Sequence, residues 1–228
     1  MLNPKAAHSE STASHPPLRV SAGLEEQGVI VGNYYDKYGS RNPIVRRLMR
    51  GFEDALETLV HRSGARTIHE IGCGEGHWTI NWASNGKSAR GSDFSEQVIA
   101  LARANADAAG VSDAVDFRVA SIYDLTPAQD AAELVVCCEV LEHLDDPERA
   151  LHVLRELARP WLLASVPREP IWSSMNMARG KYLASWGNTP GHVQKWSAAT
   201  FVDFISSQFE IVAIKRPLPW TMVLARAR

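Results

Sequence analysis

Apolar residues return every three or four positions between residues 42 and 64, which is the period of one face of an α-helix. The repeating positions are Ile44, Val45, Leu48, Met49, Phe52, Leu56, Leu59 and Val60. Pro43 suits the first turn of a helix, and Gly64 suits the position just after its end. The pattern therefore predicts a long helix between these two residues.

Short runs rich in apolar and β-branched residues follow and predict strands. They cover residues 67–71, 89–91, 115–119, 134–138, 162–166, 209–215 and 221–225. Helical stretches lie between the first five runs, most clearly at 95–109, where Ser95 suits the N-cap, and at 147–158, which begins with a proline. Strands that alternate with helices predict a parallel sheet covered on both faces.

The last two predicted strands are joined only by residues 217–220, Pro-Leu-Pro-Trp. This connection is too short for a helical crossover, so the two strands should pair antiparallel as a hairpin. The whole pattern predicts an α/β protein with a Rossmann-like three-layer sandwich. Its sheet is expected to be seven-stranded and mostly parallel, with the hairpin at its C-terminal end.

Two further segments differ from this regular alternation. Residues 1–30 begin with a polar stretch rich in His, Ser and Pro, and are predicted to be a disordered tail. The remaining residues, 31–228, are predicted to form a single domain. Within it, residues 168–195 are long for a strand–helix connection and rich in aromatic side chains, which indicates a lid-like insertion.

Composition limits the possible partners and the cellular compartment but does not indicate a reaction. The net charge is −2 and the pI is about 6.4, so a nucleic-acid partner is not favoured. Three cysteines form no disulfide framework, and no apolar run reaches the roughly 20 residues of a membrane span. Because residues 1–17 also lack the apolar core of a signal peptide, we expect a cytoplasmic protein.

The most informative segment runs from Thr67 to Gly76, where a strand enters the turn Glu-Ile-Gly-Cys-Gly-Glu-Gly. Glycines at 72, 74 and 76 allow positive φ and close approach of a ligand to the backbone. Nicotinamide-binding turns instead read G-x-G-x-x-G and hold a pyrophosphate on the helix N-terminus. Glu70, just before the turn, would repel a pyrophosphate and suits an ammonium group.

Asp93 lies 21 positions beyond Gly72, at the end of the second predicted strand. A carboxylate at this place accepts hydrogen bonds from ribose hydroxyls in nucleotide-binding α/β proteins. Phe94 follows and is suited to cover a purine. The alternative is that Asp93 is only a turn residue near a helix start.

These segments resemble those of the class I S-adenosylmethionine-dependent methyltransferases, specifically the methyltransferase type 11 group. The turn from Glu70 to Gly76 resembles their motif I, and Asp93 resembles their motif II acid. Ser121 and Ile122 resemble the third-strand segment that contacts adenine, although many members carry Asp in place of this serine. Residues 134–144 end in Val-Leu-Glu-His-Leu and resemble the fourth-strand motif.

The resemblance covers residues 40–228 and implies S-adenosyl-L-methionine as cofactor. It implies cofactor contacts from Glu70, Gly72, Cys73, Gly74, Gly76, Asp93, Phe94, Ser121, Ile122, Cys138 and Glu139. The acceptor is expected to be a small molecule methylated on oxygen or nitrogen.

Two histidines are the candidate catalytic residues. His143 follows the fourth strand and His192 lies in the loop after the fifth, and imidazole takes up protons near neutral pH. The alternative for His143 is that it only holds its loop by hydrogen bonds.

A metal site is a second possibility for the same region. The series Glu139, Glu142, His143 and His192 resembles the metal site of small-RNA 2′-O-methyltransferases, and its first three residues resemble a motif of ubiquinone-pathway O-methyltransferases. A bound Mg²⁺ or softer divalent ion would lower the pKa of an acceptor hydroxyl. A metal-assisted RNA 3′-end 2′-O-methyltransferase is therefore an alternative function, and a non-catalytic cofactor-binding subunit is another.

Aromatic side chains are candidates for the acceptor pocket. Trp172 belongs to the predicted insertion and Trp196 directly follows it, whereas Tyr34 and Tyr38 lie in the segment before the first long helix. Together they are expected to close an apolar pocket over the methyl acceptor, although those of the insertion also suit a small local core.

Overall fold

The computed structural model of the chain describes residues 18–26, 29–33, 36–180, 182–189 and 191–228. Tyr34, a predicted acceptor-binding residue, lies outside these ranges. No helix within them has both the length and the apolar character needed to cross a membrane.

The strands form two sheets. A small antiparallel pair, β1 (Glu25–Glu26) and β2 (Val29–Ile30), precedes the main sheet. The main sheet contains β3 (Thr67–Ile71), β4 (Ser88–Asp93), β5 (Val115–Val119), β6 (Ala132–Cys138), β7 (Ala158–Pro167), β8 (Phe209–Lys215) and β9 (Trp220–Ala227). Its spatial order is β5-β4-β3-β6-β7-β9-β8.

Strand direction confirms the predicted fold. Strands β3 to β7 pair in parallel, whereas β9 pairs antiparallel with both β7 and β8. The sheet is thus Rossmann-like and ends in the predicted hairpin. The order reverses at β3, from which the chain continues outward to β4 and later returns to β6 on the other side. Such a reversal leaves a crevice at the carboxyl ends of the strands.

Seven helices of the described ranges connect or cover these strands. They are α1 (Pro43–Ser63), α2 (His77–Ser84), α3 (Glu96–Ala109), α4 (Pro127–Asp130), α5 (Pro147–Leu157), α6 (Ile171–Ala178) and α7 (Ala198–Ser206). The side chains of Asn42 and Ser95 accept hydrogen bonds from backbone N–H groups at the starts of α1 and α3. Gly64 ends α1 at a φ of 68°. The predicted start and stop signals of these helices are confirmed.

The core lies on both faces of the main sheet. On one face, α1 and α2 bury residues such as Leu59 and Trp82 against Leu134 and Leu163 of the sheet. On the other face, α5 and α7 bury apolar side chains against the same central strands. Both faces are closed, so the strand ends are the available place for a ligand.

Some predicted boundaries were wrong. The strand expected at 89–91 extends over Ser88–Asp93, and the one expected at 162–166 over Ala158–Pro167. Part of the predicted tail, residues 18–26 and 29–30, is folded and includes β1 and β2. Polar backbone contacts hold this segment, and hydrophobic periodicity does not detect such contacts.

The predicted insertion at 168–195 contains α6 and returns to its starting point. The Glu169 N–H donates to the Trp196 carbonyl at 2.8 Å, so the two ends of the segment meet. The side chain of Trp172 donates to the Thr189 hydroxyl at 2.9 Å and ties α6 to the returning chain. These contacts bring the two ends of the segment together; its role as a lid-like insertion stays a prediction.

Candidate active site

A cavity of about 1490 Å³ opens at the carboxyl ends of β3, β4 and β6. Its walls come from the turn after β3, the segments after β5 and β6, and side chains of α1 and α6. Single drug-sized ligands occupy pockets of roughly 300–1,000 Å³, so this cavity has room for two molecules side by side.

The turn after β3 is shaped by close contacts that only glycine allows. A Cβ on Gly72, where φ is 72°, would lie 2.3 Å from a methyl carbon of Val140. A Cβ on Gly74, where φ is 54°, would meet nothing within 4 Å and would project into open space. Gly72 therefore lets the turn pass beside Val140, and Gly74 leaves its backbone open to a ligand.

Gly76 lies against β5 and not against the cavity. It does not line the cavity, and a Cβ on it would lie 2.7 Å from Phe117. This glycine lets α2 pack against β5, and its contact with the cofactor stays a prediction. The sequence spacing alone does not separate a glycine that faces a ligand from one that faces the core.

Glu70 is buried beneath the turn. One of its carboxylate oxygens accepts hydrogen bonds from the N–H of Thr79, at 2.9 Å, and from the Thr79 hydroxyl. Burial raises the pKa of Glu70 to about 8, although the Thr79 hydrogen bonds oppose this shift. A cation in the cavity would stabilise the ionised form of this side chain.

Asp93 joins the turn to the end of β4. Its carboxylate accepts hydrogen bonds from the Gly74 N–H and the Ser95 N–H, each at 3.1 Å. Burial raises the pKa of Asp93 above its ordinary value. Asp93 and Gly74 line the cavity at the ends of neighbouring strands, and the ribose contact of Asp93 stays a prediction.

Three predicted residues lie near this end of the cavity. Phe94 lines it and is 42% exposed. Ile122 is buried in the cavity wall. The Ser121 hydroxyl accepts a hydrogen bond from the Tyr123 N–H at 3.3 Å, but it still lines the cavity.

Glu139, at the end of β6, is fixed on both sides. It has a φ of 60°, and its carboxylate accepts hydrogen bonds from the Ser165 hydroxyl at 3.0 Å and from the Trp220 indole N–H at 2.6 Å. Burial raises the pKa of Glu139 to about 7. Neighbouring Cys138 also lines the cavity, and burial raises the pKa of its thiol, which is therefore uncharged.

Glu142, His143 and His192 form a cluster. Glu139 does not belong to this cluster. One possible ligand atom from each of the three lies within 4.8 Å of the others. Both Glu142 carboxylate oxygens are buried without a hydrogen-bond partner in the described structure. Burial raises the pKa of Glu142 well above its ordinary value, and the charge of Glu139 adds to this shift.

The two imidazoles are brought together by the returning loop. The Glu142 carbonyl accepts hydrogen bonds from the Val193 and Gln194 N–H groups, and His143 Nδ1 lies 3.0 Å from the Gly191 carbonyl oxygen. Burial lowers the pKa of His143, although its ring borders the open cavity. Burial and then the neighbouring His143 lower the pKa of His192 to about 4.

The predicted aromatic residues divide into two groups. Tyr38 and Trp172 line the cavity; the Tyr38 ring stacks 3.6 Å from that of His77, and Trp172 lies 6.0 Å from His192. The Trp196 ring packs against α7, 4.8 Å from Phe204, and does not line the cavity; its acceptor contact stays a prediction.

Sequence reasoning missed residues that hold the site's carboxylates, among them Thr79 and Trp220. Thr79 is the third residue of α2 and has no distinctive neighbours in sequence. Trp220 follows two prolines in the hairpin connection and is 81 positions from Glu139. Only the pairing of β9 with β7 brings Trp220 to the cavity.

The comparisons with known proteins agree with this geometry. A methyltransferase-domain family model matches residues 68–161. A ubiquinone biosynthesis O-methyltransferase of Xanthomonas euvesicatoria pv. vesicatoria is 25% identical over 181 residues, 78% of this chain and 72% of that protein. One of Bordetella parapertussis is 28% identical over 159 residues, 67% of this chain and 64% of that protein.

Solved structures share the fold. A magnesium protoporphyrin IX methyltransferase from Synechocystis PCC 6803 with bound SAH is similar at a TM-score of 0.63 and 18% identity, covering 83% of this chain and 90% of that one. An S-adenosylmethionine-dependent methyltransferase from Mesorhizobium loti has a TM-score of 0.61 and 22% identity, covering 77% of this chain and 97% of that one.

A matched pair of glycine variants tests the ligand side of the turn. Gly74→Ala and Gly110→Ala both add a Cβ in open space at positive φ, 54° and 70°. Each should lower the free energy of unfolding by about 1–2 kcal/mol. Only Gly74→Ala adds a methyl group to the cavity, so it should weaken S-adenosylhomocysteine binding about tenfold or more in calorimetry. Equal binding by both variants would contradict this placement of the ligand.

Proposed function

The chain belongs to the class I S-adenosylmethionine-dependent methyltransferases, and from this premise we propose that it methylates an oxygen atom of a small-molecule acceptor. The observation that carries the proposal is the Glu142–His143–His192 cluster, which lines the same cavity as the glycine turn. The similarity to relatives named O-methyltransferases supports oxygen over nitrogen. A reducing, cytoplasmic setting stays part of the proposal and is supported by three free cysteines.

Bound S-adenosylmethionine supplies an electrophilic methyl group on a sulfonium sulfur. In the proposal, Glu70 receives the methionine ammonium group through the turn, Asp93 accepts hydrogen bonds from the ribose hydroxyls, and Phe94 covers the adenine. The open backbone face of Gly74 supports this arrangement, because it leaves space between the two carboxylates.

His143 is the proposed proton acceptor. A carbonyl oxygen only accepts hydrogen bonds, so the contact with Gly191 requires the proton of neutral His143 to be on Nδ1. Nε2 then carries the lone pair. Because the pKa of His143 is lowered, this neutral form is present at physiological pH and is available to an acceptor hydroxyl.

The rest of the cavity suits an apolar or aromatic acceptor. Met49 and Phe52 of α1 face it together with Tyr38, Trp172 and Trp220. These walls would hold the acceptor in line with the methyl group and exclude water, which are the main requirements of the transfer.

A turnover assay tests the function itself. Purified full-length protein is incubated with labelled S-adenosylmethionine and a panel of phenols, catechols, matched anilines and a single-stranded RNA. We expect hydroxyl acceptors to be methylated with formation of S-adenosylhomocysteine. Preference for the RNA, with steep salt dependence, would contradict a small-molecule acceptor. Tight S-adenosylhomocysteine binding without any turnover would favour a non-catalytic subunit.

His143→Asn tests the proton acceptor, because asparagine keeps an N–H that can reach Gly191 but has no basic nitrogen. We expect kcat to fall by about 10²–10⁴-fold with little change in cofactor affinity. His152→Asn, on the exposed side of α5, is the matched control and should retain activity.

The pH profile identifies the base. A protonated imidazole cannot accept a proton, and the pKa of His143 is lowered from an ordinary value of about 6.5. The wild-type kcat/KM should therefore stay level near neutrality and decline only at lower pH. A decline centred near pH 7 would instead point to Glu139, whose pKa is about 7.

Metal-assisted transfer is the second candidate. The unpartnered, buried carboxylate of Glu142 favours it, since such a group is costly unless a cation or donor satisfies it. One carboxylate and two imidazoles suit Zn²⁺ better than Mg²⁺, which prefers oxygen ligands. A bound divalent ion would lower the pKa of an acceptor hydroxyl.

Metal content tests this candidate without an activity measurement. If it holds, protein stripped with chelator should bind about one equivalent of Zn²⁺ in calorimetry, in keeping with a single three-ligand site. Glu142→Gln should abolish binding, whereas Glu57→Gln, at a carboxylate on α1 outside the cavity, should not. Zinc uptake that survives Glu142→Gln would exclude this site.

A further inference from the structure

A buried carboxylate within the glycine turn has no part in the contacts described so far. Glu75 lies between Gly74 and Gly76 and is only 1% exposed. It accepts hydrogen bonds from the N–H of Ser21 at 2.9 Å, from the N–H of Asn33 at 2.7 Å and from the Asn33 side-chain amide at 2.6 Å. All three donors come from the segment before α1.

These hydrogen bonds hold the two ends of a small loop, Ser21 and Asn33, at the same carboxylate. The Ser21 hydroxyl donates to the Val31 and Asn33 carbonyls, and the Ala22 N–H donates to the Asn33 carbonyl at 3.2 Å. Gly32 lies so close that a Cβ on it would be 2.5 Å from a Glu75 carboxylate oxygen. The chain thus leaves the domain near Ser21, forms β1 and β2, and returns to the same carboxylate.

The far end of this loop is held at a second point. The Glu26 carboxylate accepts hydrogen bonds from the Ser95 hydroxyl at 2.5 Å and from the Glu96 N–H at 3.4 Å. Ser95 is the N-cap of α3 and Glu96 is its first residue. A negative charge is favourable at a helix N-terminus. The hydrogen bond from Ser95 lowers the pKa of Glu26, so its carboxylate remains charged at neutral pH.

The two anchor points flank the proposed cofactor contacts. Glu75 directly follows Gly74, and Ser95 is two residues beyond Asp93. Val31, Gly32 and Asn33 line the cavity from this side. A ligand between Gly74 and Asp93 would therefore have this loop beside it as a wall.

We propose that residues 18–26 and 29–33 form a strap, fastened to the cofactor turn by Glu75, that must detach for the cofactor and its product to exchange. The inference rests on the proposed cofactor site and adds a positioning role for Glu75 in closing it. Fastening the strap holds the glycine turn in shape and slows the escape of the nucleoside.

The strap is suited to detach because hydrogen bonds fasten it more than apolar burial does. Among its described side chains, Val31 is the one large apolar group that is buried, and Leu24 is 38% exposed. Segments with few buried apolar contacts open at a small fraction of the free energy of global unfolding. Local opening of the strap can therefore occur while the main sheet stays folded.

Variants on both sides of the contact test the strap. Asn33→Ala removes one donor from the strap, and Glu75→Ala removes the acceptor from the turn. We expect each to raise the dissociation rate of S-adenosylhomocysteine at least tenfold in stopped-flow displacement. The double variant should dissociate no faster than Glu75→Ala alone, because both changes break one contact. Glu133→Ala is the control, as its carboxylate accepts two backbone N–H groups outside the cavity and should leave the rate unchanged.

Hydrogen exchange distinguishes two roles of Glu75. Its carboxylate either fastens the strap or only stabilises the turn to which it belongs. In the wild type, the Ser21 and Asn33 amides should be protected, and more so with S-adenosylhomocysteine bound. Asn33→Ala leaves the turn intact, so normal dissociation in this variant would overturn the strap while leaving the cofactor site standing. Failure of the wild type to bind S-adenosylhomocysteine would overturn both.

Discussion

The structure depends on how the chain leaves β3. At the end of this central strand it must turn at once into α2 while passing beside Val140 and allowing α2 to rest on Phe117. Side chains at positions 72 and 76 would collide with these neighbours, so the route exists only for glycine there. The same absence of side chains at position 74 leaves bare backbone facing the cavity. One steric constraint thus fixes both the packing of the first βα unit and the opening for a ligand.

The second organising principle is electrostatic. Glu70 and Glu142 are buried and Glu139 is half-buried around one cavity, and desolvation raises the pKa of each. A sulfonium or ammonium group among them stabilises their ionised forms and draws their pKa values down. Uptake of a cationic nucleoside is therefore linked to release of protons from these carboxyl groups. The cavity favours positive charge before any specific hydrogen bond is considered.

The fold was largely predictable from the sequence because periodicity and glycine spacing are local signals. They predicted α1, the parallel strands, the hairpin, and the meeting of Glu70 with Asp93 at neighbouring strand ends. The clustering of His143 with His192 was expected from a resemblance, and the returning loop explains it. What the sequence could not separate depends on tertiary packing: Trp196 directly follows the insertion that contains Trp172, and of the two only Trp172 lines the cavity. The register between β7 and β9 brings Trp220 to Glu139, and no short segment of the sequence encodes that register.

The strand order has a consequence for how the protein is made. Strand β9 lies between β7 and β8, although it follows both in the chain. Until the ribosome has released β9, β7 presents an unpaired edge and β8 has no neighbour at all. A nascent chain in this state exposes a template for aggregation until β9 inserts. Strand β9 thus completes the sheet, and shielding by a chaperone matters most just before this strand emerges.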